Sequence, residues 1–223
     1  MEHSAVDPRP WPNPRHAWYV TGFLTIAFAV SFVERMIMAL MVEPIKADLR
    51  LTDFEISLLH GFAFAVFYVV AALPISRLTD HGSRRLVIGS SIALWSVATA
   101  ACGLSRDFLQ LFLSRIGVGI GEAGLSPASY SMMADLFPKE RLARPIAVYS
   151  VGIYAGSGLA FMVGGAAVTF MASFGAITLP GVGLLQPWQA TFLLVAAPGI
   201  VLLLLLFTIR EPERRLESAG DAN

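Results

Sequence analysis

Four ionisable side chains interrupt two long apolar runs of this sequence. Glu34 and Arg35 are adjacent in the first run, and Arg115 and Glu122 stand seven residues apart in the fourth. Because an unpaired charge at the centre of a bilayer costs about 2.5 to 3.5 kcal/mol, these side chains are expected to face the protein interior or a hydrated cavity. A carboxylate in such a place can exchange a proton, and an arginine fork can hold an anion.

The spacing of the second pair places both side chains on nearly one face of a helix, with Gly119 between them, because a helix turns once in about 3.6 residues. Glu34 and Glu122 lie at comparable depths, so the first and fourth helices could meet there. Two interpretations remain open. The charges form static ion pairs that lock the helices together, or Glu34 and Glu122 couple protons while Arg35 and Arg115 bind substrate.

The elements that would hold these residues are membrane-spanning helices. The chain of 223 residues is 56% hydrophobic and 14% charged, whereas soluble domains are about 25% charged. A spanning helix needs about 20 mostly apolar residues, and the runs lack the alternation of strands. The sequence predicts an all-α membrane protein with spans one to six at residues 17–42, 55–78, 86–104, 108–135, 143–172 and 188–209.

The ends of the chain are predicted to be short tails on the cytoplasmic side of a cell membrane. Eleven Lys and Arg residues fall in the tails and in the 2-3 and 4-5 loops, against three in the opposite loops; basic residues are retained on the cytoplasmic side. The predicted parts are a disordered tail at 1–16, a six-helix domain at 17–209 and a C-terminal tail at 210–223. The first tail has no apolar run of a cleavable signal, so span one is expected to direct insertion.

Glycines in the fourth span spell a formal G-x-G-x-x-G at Gly119, Gly121 and Gly124. A dinucleotide fingerprint follows a strand, whereas here an apolar helix runs into the motif, so a nucleotide site is not expected. Small residues four apart instead let helices approach closely in lipid. The pairs with that spacing are Gly117 with Gly121 and Gly152 with Gly156. They indicate tight packing of spans four and five, with each other or with a neighbour, or a glycine hinge that bends during a conformational cycle.

Other chemistries are not supported by the residue types present. The single cysteine, Cys102, has no partner for a disulfide or a metal site, and no two histidines stand at metal-ligand spacing. No nucleophile with a nearby base and no Lys/Arg-rich run occurs. The chain is therefore expected to be neither an enzyme nor a nucleic-acid-binding protein, and to need no metal or cofactor.

The 2-3 loop, SRLTDHGSRR at residues 76–85, resembles the signature loop of the major facilitator superfamily, G-x-x-x-D-[RK]-x-G-[RK]-[RK]. The matching residues are Asp80, Arg84 and Arg85, and the departures are Ser76, His81 and Ser83. In that family the loop latches the cytoplasmic sides of two half-domains, and the aspartate meets a helix start in the other half. Asp135, at the cytoplasmic end of span four, is expected to pair with this loop.

Span four, with R-x-G-x-G-x-G-E-A, and span one, with FVERMIMALMVEPIKADLRLTD, extend the resemblance to the spinster-like branch over residues 17–215. In that branch an acid followed by arginine in helix one and a glutamate in helix four are the proposed proton and substrate groups. Glu34, Arg35, Arg115 and Glu122 match those places. The resemblance implies two inverted three-helix repeats around a midplane site.

Members of the family normally have twelve helices, whereas this sequence reaches REPERR, where an inter-half linker would begin. It resembles an N-terminal half. The implied partners are protons, a small-molecule or lipid-like solute, the lipid bilayer, and a second six-helix half or a second copy. The alternative is a truncated, non-transporting membrane protein whose charges brace its helices.

Overall fold

The structure, a computed structural model, describes residues 9–181 and 183–215. Within that part of the chain, six helical segments are long and apolar enough to cross a membrane. The prediction of six spans is confirmed, and each boundary falls within three residues of the predicted one. Spans one to six are Pro14–Leu40, Asp53–His81, Arg84–Leu104, Phe108–Leu136, Ala143–Phe174 and Pro187–Leu206.

Three of the spans are not continuous α-helices. Span two consists of Asp53–Ser57, a π-helical turn at Leu58–Phe62 and Ala63–His81; span four consists of Phe108–Glu122 and Leu125–Leu136; span five consists of Ala143–Leu159, a π-helical turn at Ala160–Gly164 and Gly165–Phe174. π turns often occur at functional sites, and the break in span four lies directly beside Glu122.

A short helix, a 3-10 turn and a β-hairpin lie in the connections between the spans. A helix at Val42–Leu49 follows span one, and a 3-10 turn at Lys139–Arg141 joins spans four and five. Ile177–Leu179 and Gly183–Leu185 form a two-stranded antiparallel hairpin between spans five and six. The prediction of an entirely helical fold missed this hairpin because each strand has only three residues, too few for an alternating pattern.

The first and last described residues, near Arg9 and Arg215, meet on one side of the bundle. Asn13 caps span one by accepting a hydrogen bond from the Arg15 backbone at 2.9 Å, so the helix begins inside the predicted tail of residues 1–16. Arg9 pairs with Glu213 at 3.1 Å. The rest of the predicted tails, residues 1–8 and 216–223, lies outside the described residues.

The core consists of two apolar clusters with a charged layer between them. One cluster contains the buried apolar residues of span one up to Ala27 and of span four from Leu125 onwards. The other contains those of span one from Ile37 onwards and of span four up to Val118. Glu34 and Glu122 fall between these limits, and both are buried. The fold therefore places both carboxylates at the middle depth of the bundle, where the sequence predicted them.

The paired glycines pack spans four and five against neighbours rather than against each other. In span four, a Cβ added to Gly117 would lie 3.0 Å from Ala98 Cβ, and one added to Gly121 would lie 2.5 Å from the Trp95 backbone nitrogen. In span five, a Cβ added to Gly152 would lie 2.9 Å from the Thr25 carbonyl oxygen, and one added to Gly156 would lie 2.6 Å from the Ala29 carbonyl oxygen. Span four thus contacts span three, and span five contacts span one, at distances that only glycine permits.

Candidate functional site

An ion pair joins span one to span four. Arg35 donates from Nε to Glu122 Oε2 at 3.1 Å, and its Nη2 contacts the same oxygen. The Glu122 side chain is 1% exposed, whereas that of Arg35 is 22% exposed. The carboxylate is therefore enclosed, whereas the Arg35 side chain is partly exposed.

Three aromatic rings lie around the guanidinium group of Arg35. The guanidinium carbon of Arg35 lies 4.6 Å from the ring centre of Phe32, 4.5 Å from that of Phe64 and 5.5 Å from that of Tyr68. A cation within about 6 Å of an aromatic face is attracted to it. Arg35 is thus held by spans one, two and four together, with an apolar surface beside a positive charge.

Glu34 points towards span three. Its Oε1 accepts a hydrogen bond from Trp95 Nε1 at 3.3 Å, and the residue is fully buried. Its other oxygen, Oε2, makes no hydrogen bond of good geometry with the described residues, and neither does the buried hydroxyl of Thr99, although these two side chains are close enough to interact. Because buried polar groups are normally satisfied, a carboxylate with one free oxygen is suited to binding a proton or a water molecule.

Arg115 is buried, and no carboxylate of the described residues lies within 4.0 Å of its guanidinium. Its residue is 1% exposed, and its Nε has no hydrogen-bond partner in the described part of the chain. The guanidinium carbon lies 5.4 Å from the ring centre of Phe64, which also contacts Arg35. Of the four charges, only Arg35 and Glu122 form an ion pair across the described helices, so static pairing accounts for half of the set.

Reasoning from the sequence missed the uncharged residues of this site. The sequence patterns assign no role to Phe64, Tyr68, Trp95 or Thr99. A tryptophan in the middle of a span is one signal that could have been used, because Trp in spans is enriched at the membrane interfaces. The partners of Glu34 and Arg35 follow from helix packing, which no spacing in the sequence reveals.

A second charged cluster lies where the chain ends meet. Arg84 is 1% exposed and donates to Asp135, in agreement with the expectation that Asp135 pairs with the 2-3 loop. It also donates from Nε to Glu211 at 3.1 Å. Ser83 accepts a hydrogen bond from the Leu86 backbone at 3.2 Å and donates to Glu211. Ser83, a departure from the family loop, thus caps span three.

The remaining loop residues have separate contacts. The Asp80 backbone carbonyl accepts a hydrogen bond from Arg214, and the residue itself is exposed. The guanidinium carbon of Arg85 lies 5.7 Å from the ring centre of Phe207. These contacts do not test a gating role, which stays a prediction for Asp80, Arg84, Arg85 and Asp135.

Glu211 makes the stability of this cluster pH-dependent. Burial alone would raise the pKa of the Glu211 carboxyl, but hydrogen bonds from Ser83, from the backbone and side chain of Arg84 and from the Arg85 backbone outweigh it and lower the pKa from its ordinary value. A lowered folded-state pKa contributes stability above the unfolded value, and that stability is lost as pH falls through the folded value. In unfolding titrations, Glu211→Gln should therefore destabilise the protein at pH 7, and the difference from wild type should shrink below about pH 4.3, the ordinary glutamate value.

Glu213 offers a matched control, because its side chain is 84% exposed and its ion pair among the described residues is with the partly exposed Arg9. Glu213→Gln should change stability by less than about 1 kcal/mol at every pH. A Glu211→Gln effect that is equal at pH 7 and pH 3 would contradict the assignment.

Comparison with known proteins places this chain in a family. Residues 23–222 match the model of the Major Facilitator Superfamily. An MFS-type efflux pump of Mycolicibacterium smegmatis is 30% identical over 207 residues, which cover 93% of this chain and 45% of that protein. Protein spinster homolog 1 of Homo sapiens is 26% identical over 205 residues, covering 91% of this chain and 36% of that protein.

A solved structure has the same helix arrangement. The bacterial homolog of the human lysosomal transporter spinster, in an inward-facing and unoccupied conformation, superimposes with a TM-score of 0.82 at 33% identity. The match covers 92% of this chain and 45% of that one. The chain thus spans less than half the length of each of these three relatives.

Proposed function

Since the chain belongs to the Major Facilitator Superfamily and resembles its spinster proteins, we propose that it is the N-terminal half of a proton-coupled secondary transporter. The solute is an organic anion or an amphipathic, lipid-like molecule, moved by alternating access. The relatives that support this solute class include sphingosine-1-phosphate transporters of Xenopus tropicalis and Danio rerio.

The observation that carries the proposal is the incomplete pairing of buried charge. Glu34 Oε2 and Arg115 Nε are buried without partners among the described residues. Braces between helices would be expected to satisfy their polar atoms, because a half-satisfied buried network is less stable than an apolar core. Groups that bind and release a proton or a solute need polar atoms that are not already hydrogen-bonded in the resting state.

The proposed cycle starts at Arg35. An anionic head group that reaches the partly exposed Arg35 side chain competes with Glu122 for the guanidinium donors, and Phe32, Phe64 and Tyr68 contact the apolar part of the solute. Glu122, with its counter-charge withdrawn in a dry site, then takes up a proton. Solute binding and proton binding are coupled because both depend on one arginine.

Access to the site would alternate by rocking this half against a second six-helix half or a second copy. Both termini are proposed to lie in the cytoplasm of a cell carrying the protein in its inner or plasma membrane. Asp80, Arg84, Arg85 and Asp135 would then act on the cytoplasmic side, Asp80 as the latch to the other half. The exposed position of Asp80 and the network around Arg84 support this division of roles.

One observation favours the alternative function, a non-transporting membrane protein. The Arg35–Glu122 contact is an ordinary ion pair that could brace spans one and four. A brace gives no reason for the unpartnered atoms of Glu34 and Arg115, which is why transport is preferred.

Proton movement in proteoliposomes tests the proposal. The full chain is reconstituted, alone and with a second six-helix half of the family, around an internal pH-sensitive dye. Amphipathic carboxylates, sulfonates and phosphates are then added. Proton flux that depends on the added anion is expected, and Glu34→Gln and Glu122→Gln should each lower it to background. Glu43→Gln, at an exposed site after span one, is the matched control and should retain the flux.

Solute-dependent flux that survives in both glutamine variants would reject these residues as proton sites. Absence of flux in both preparations, with folded protein present, would favour the non-transporting alternative.

A further inference from the structure

A groove opens between spans three and six, at the ends nearest the chain termini. Its volume is about 710 Å³. The residues that form its apolar floor and walls are Leu86, Val87, Gly89, Leu203, Leu206 and Phe207. Leu86 is 73% exposed and Phe207 is 76% exposed, so the groove faces outwards from the bundle, away from the buried charged layer.

A single basic side chain stands at the mouth of the groove. Arg85 lines it, and its guanidinium contacts the Phe207 ring at 5.7 Å. No carboxylate of residues 9–181 and 183–215 lies within 4.0 Å of that guanidinium. Glu211 also lines the groove, but its two oxygens accept hydrogen bonds from Ser83 and Arg84. The available charge at the mouth is therefore positive.

Gly89 lies on the groove wall, one helical turn beyond Arg85. A Cβ at this position would lie 2.8 Å from Leu206 Cδ2, so the Leu206 side chain occupies the space beside Gly89. The apolar surface that remains open is formed mainly by the exposed Leu86 and Phe207, together with Leu203. Such a surface fits a hydrocarbon chain, and Arg85, the second residue of span three, stands at the end of the span, where the head groups of a bilayer lie.

We propose that this groove is a binding site for one anionic phospholipid of the surrounding bilayer. The head-group phosphate contacts Arg85, and an acyl chain lies against Leu86, Leu203 and Phe207. A soluble anion would gain nothing from the apolar floor, whereas a neutral lipid would gain nothing from Arg85. The site is separate from Arg35 and Glu122 and does not depend on the transport function.

Native mass spectrometry of the detergent-solubilised full chain tests the site. The protein is titrated with equal amounts of a phosphatidylglycerol and a phosphatidylcholine that carry the same acyl chains. Wild type should bind one phosphatidylglycerol in preference. Arg85→Gln should reduce that preference about fivefold, the factor that corresponds to about 1 kcal/mol per basic residue near an anionic surface. Arg77→Gln, an exposed arginine outside the groove, should leave it unchanged.

A second pair of variants tests the apolar surface of the groove. Ser90 lines the groove, and its hydroxyl donates to the Val87 carbonyl of its own helix at 3.0 Å. Ser90→Phe can therefore fill the groove without breaking a hydrogen bond to another helix. It should reduce binding of both lipids, whereas Val97→Phe, at a 68% exposed position of the same helix, should not. Equal binding of the two lipids by wild type, equal effects of Arg85→Gln and Arg77→Gln, or displacement of phosphatidylglycerol by glycerol 3-phosphate would overturn the proposal.

Discussion

Gly121→Ala should destabilise the folded bundle by about 2 to 3 kcal/mol, the range for overpacking a rigid contact. The added Cβ would lie 2.5 Å from the backbone nitrogen of Trp95 and 2.9 Å from its Cα, and backbone atoms cannot rotate away. Spans three and four must then separate, which also displaces the Trp95 side chain from Glu34. SDS-induced unfolding followed by circular dichroism measures the change in the free energy of unfolding.

Gly158→Ala supplies the control with opposite sign. No heavy atom lies within 4 Å of a Cβ at Gly158, which sits in the helical part of span five. Alanine is favoured over glycine in a helix interior by about 1 kcal/mol, so this variant should be as stable as wild type or more stable. Two variants with the same sign and size would mean that span four does not pack against span three at Gly121.

Arg35→Gln should cost about 3 kcal/mol, the lower end of the range for breaking a buried ion pair by removing one partner. The lower end applies because the Arg35 side chain is 22% exposed and its charge is partly screened, whereas the Glu122 side chain is 1% exposed. The loss comes mainly from Glu122, which would lose its ion-pair partner and keep only the more distant positive charge of Arg115. The same unfolding titration at pH 7 gives the value.

The double variant Arg35→Gln, Glu122→Gln separates pairing from packing. Two neutral amides can bond each other, so the double variant should recover at least half of the stability that Arg35→Gln loses. Additive losses in this cycle would show that the two side chains do not interact, and would remove the coupling on which the proposed transport cycle depends.

The helical spans were predictable because the bilayer imposes a local rule. About 20 apolar residues must run without a break to cross it, and that requirement is written in consecutive positions. The burial of Glu34 and Glu122 followed from the same rule, since hydrocarbon excludes charge whatever the neighbours are. Even the separation of the glycines into pairs four apart indicated close contact, because helical geometry fixes which residues share a face.

The contact partners were not predictable from the same information. Glu34 and Arg35 are neighbours in sequence, but adjacent helical positions point in different directions; one side chain reaches Trp95 of span three and the other Glu122 of span four. The pairs Gly117 with Gly121 and Gly152 with Gly156 likewise gave a spacing without naming spans three and one as the neighbours. The roles of Phe64 and Tyr68 depended on where Arg35 lies.

The sequence by itself determined that this chain crosses a membrane in six helices and that its buried charges lie inside the bundle, because hydrophobicity and charge act residue by residue. Only the tertiary structure decided that Arg35 pairs with Glu122 while Glu34 and Arg115 remain without ionic partners among the described residues. That choice depends on how far each helix is rotated and how closely it approaches its neighbours, and those quantities are set by packing across the whole bundle.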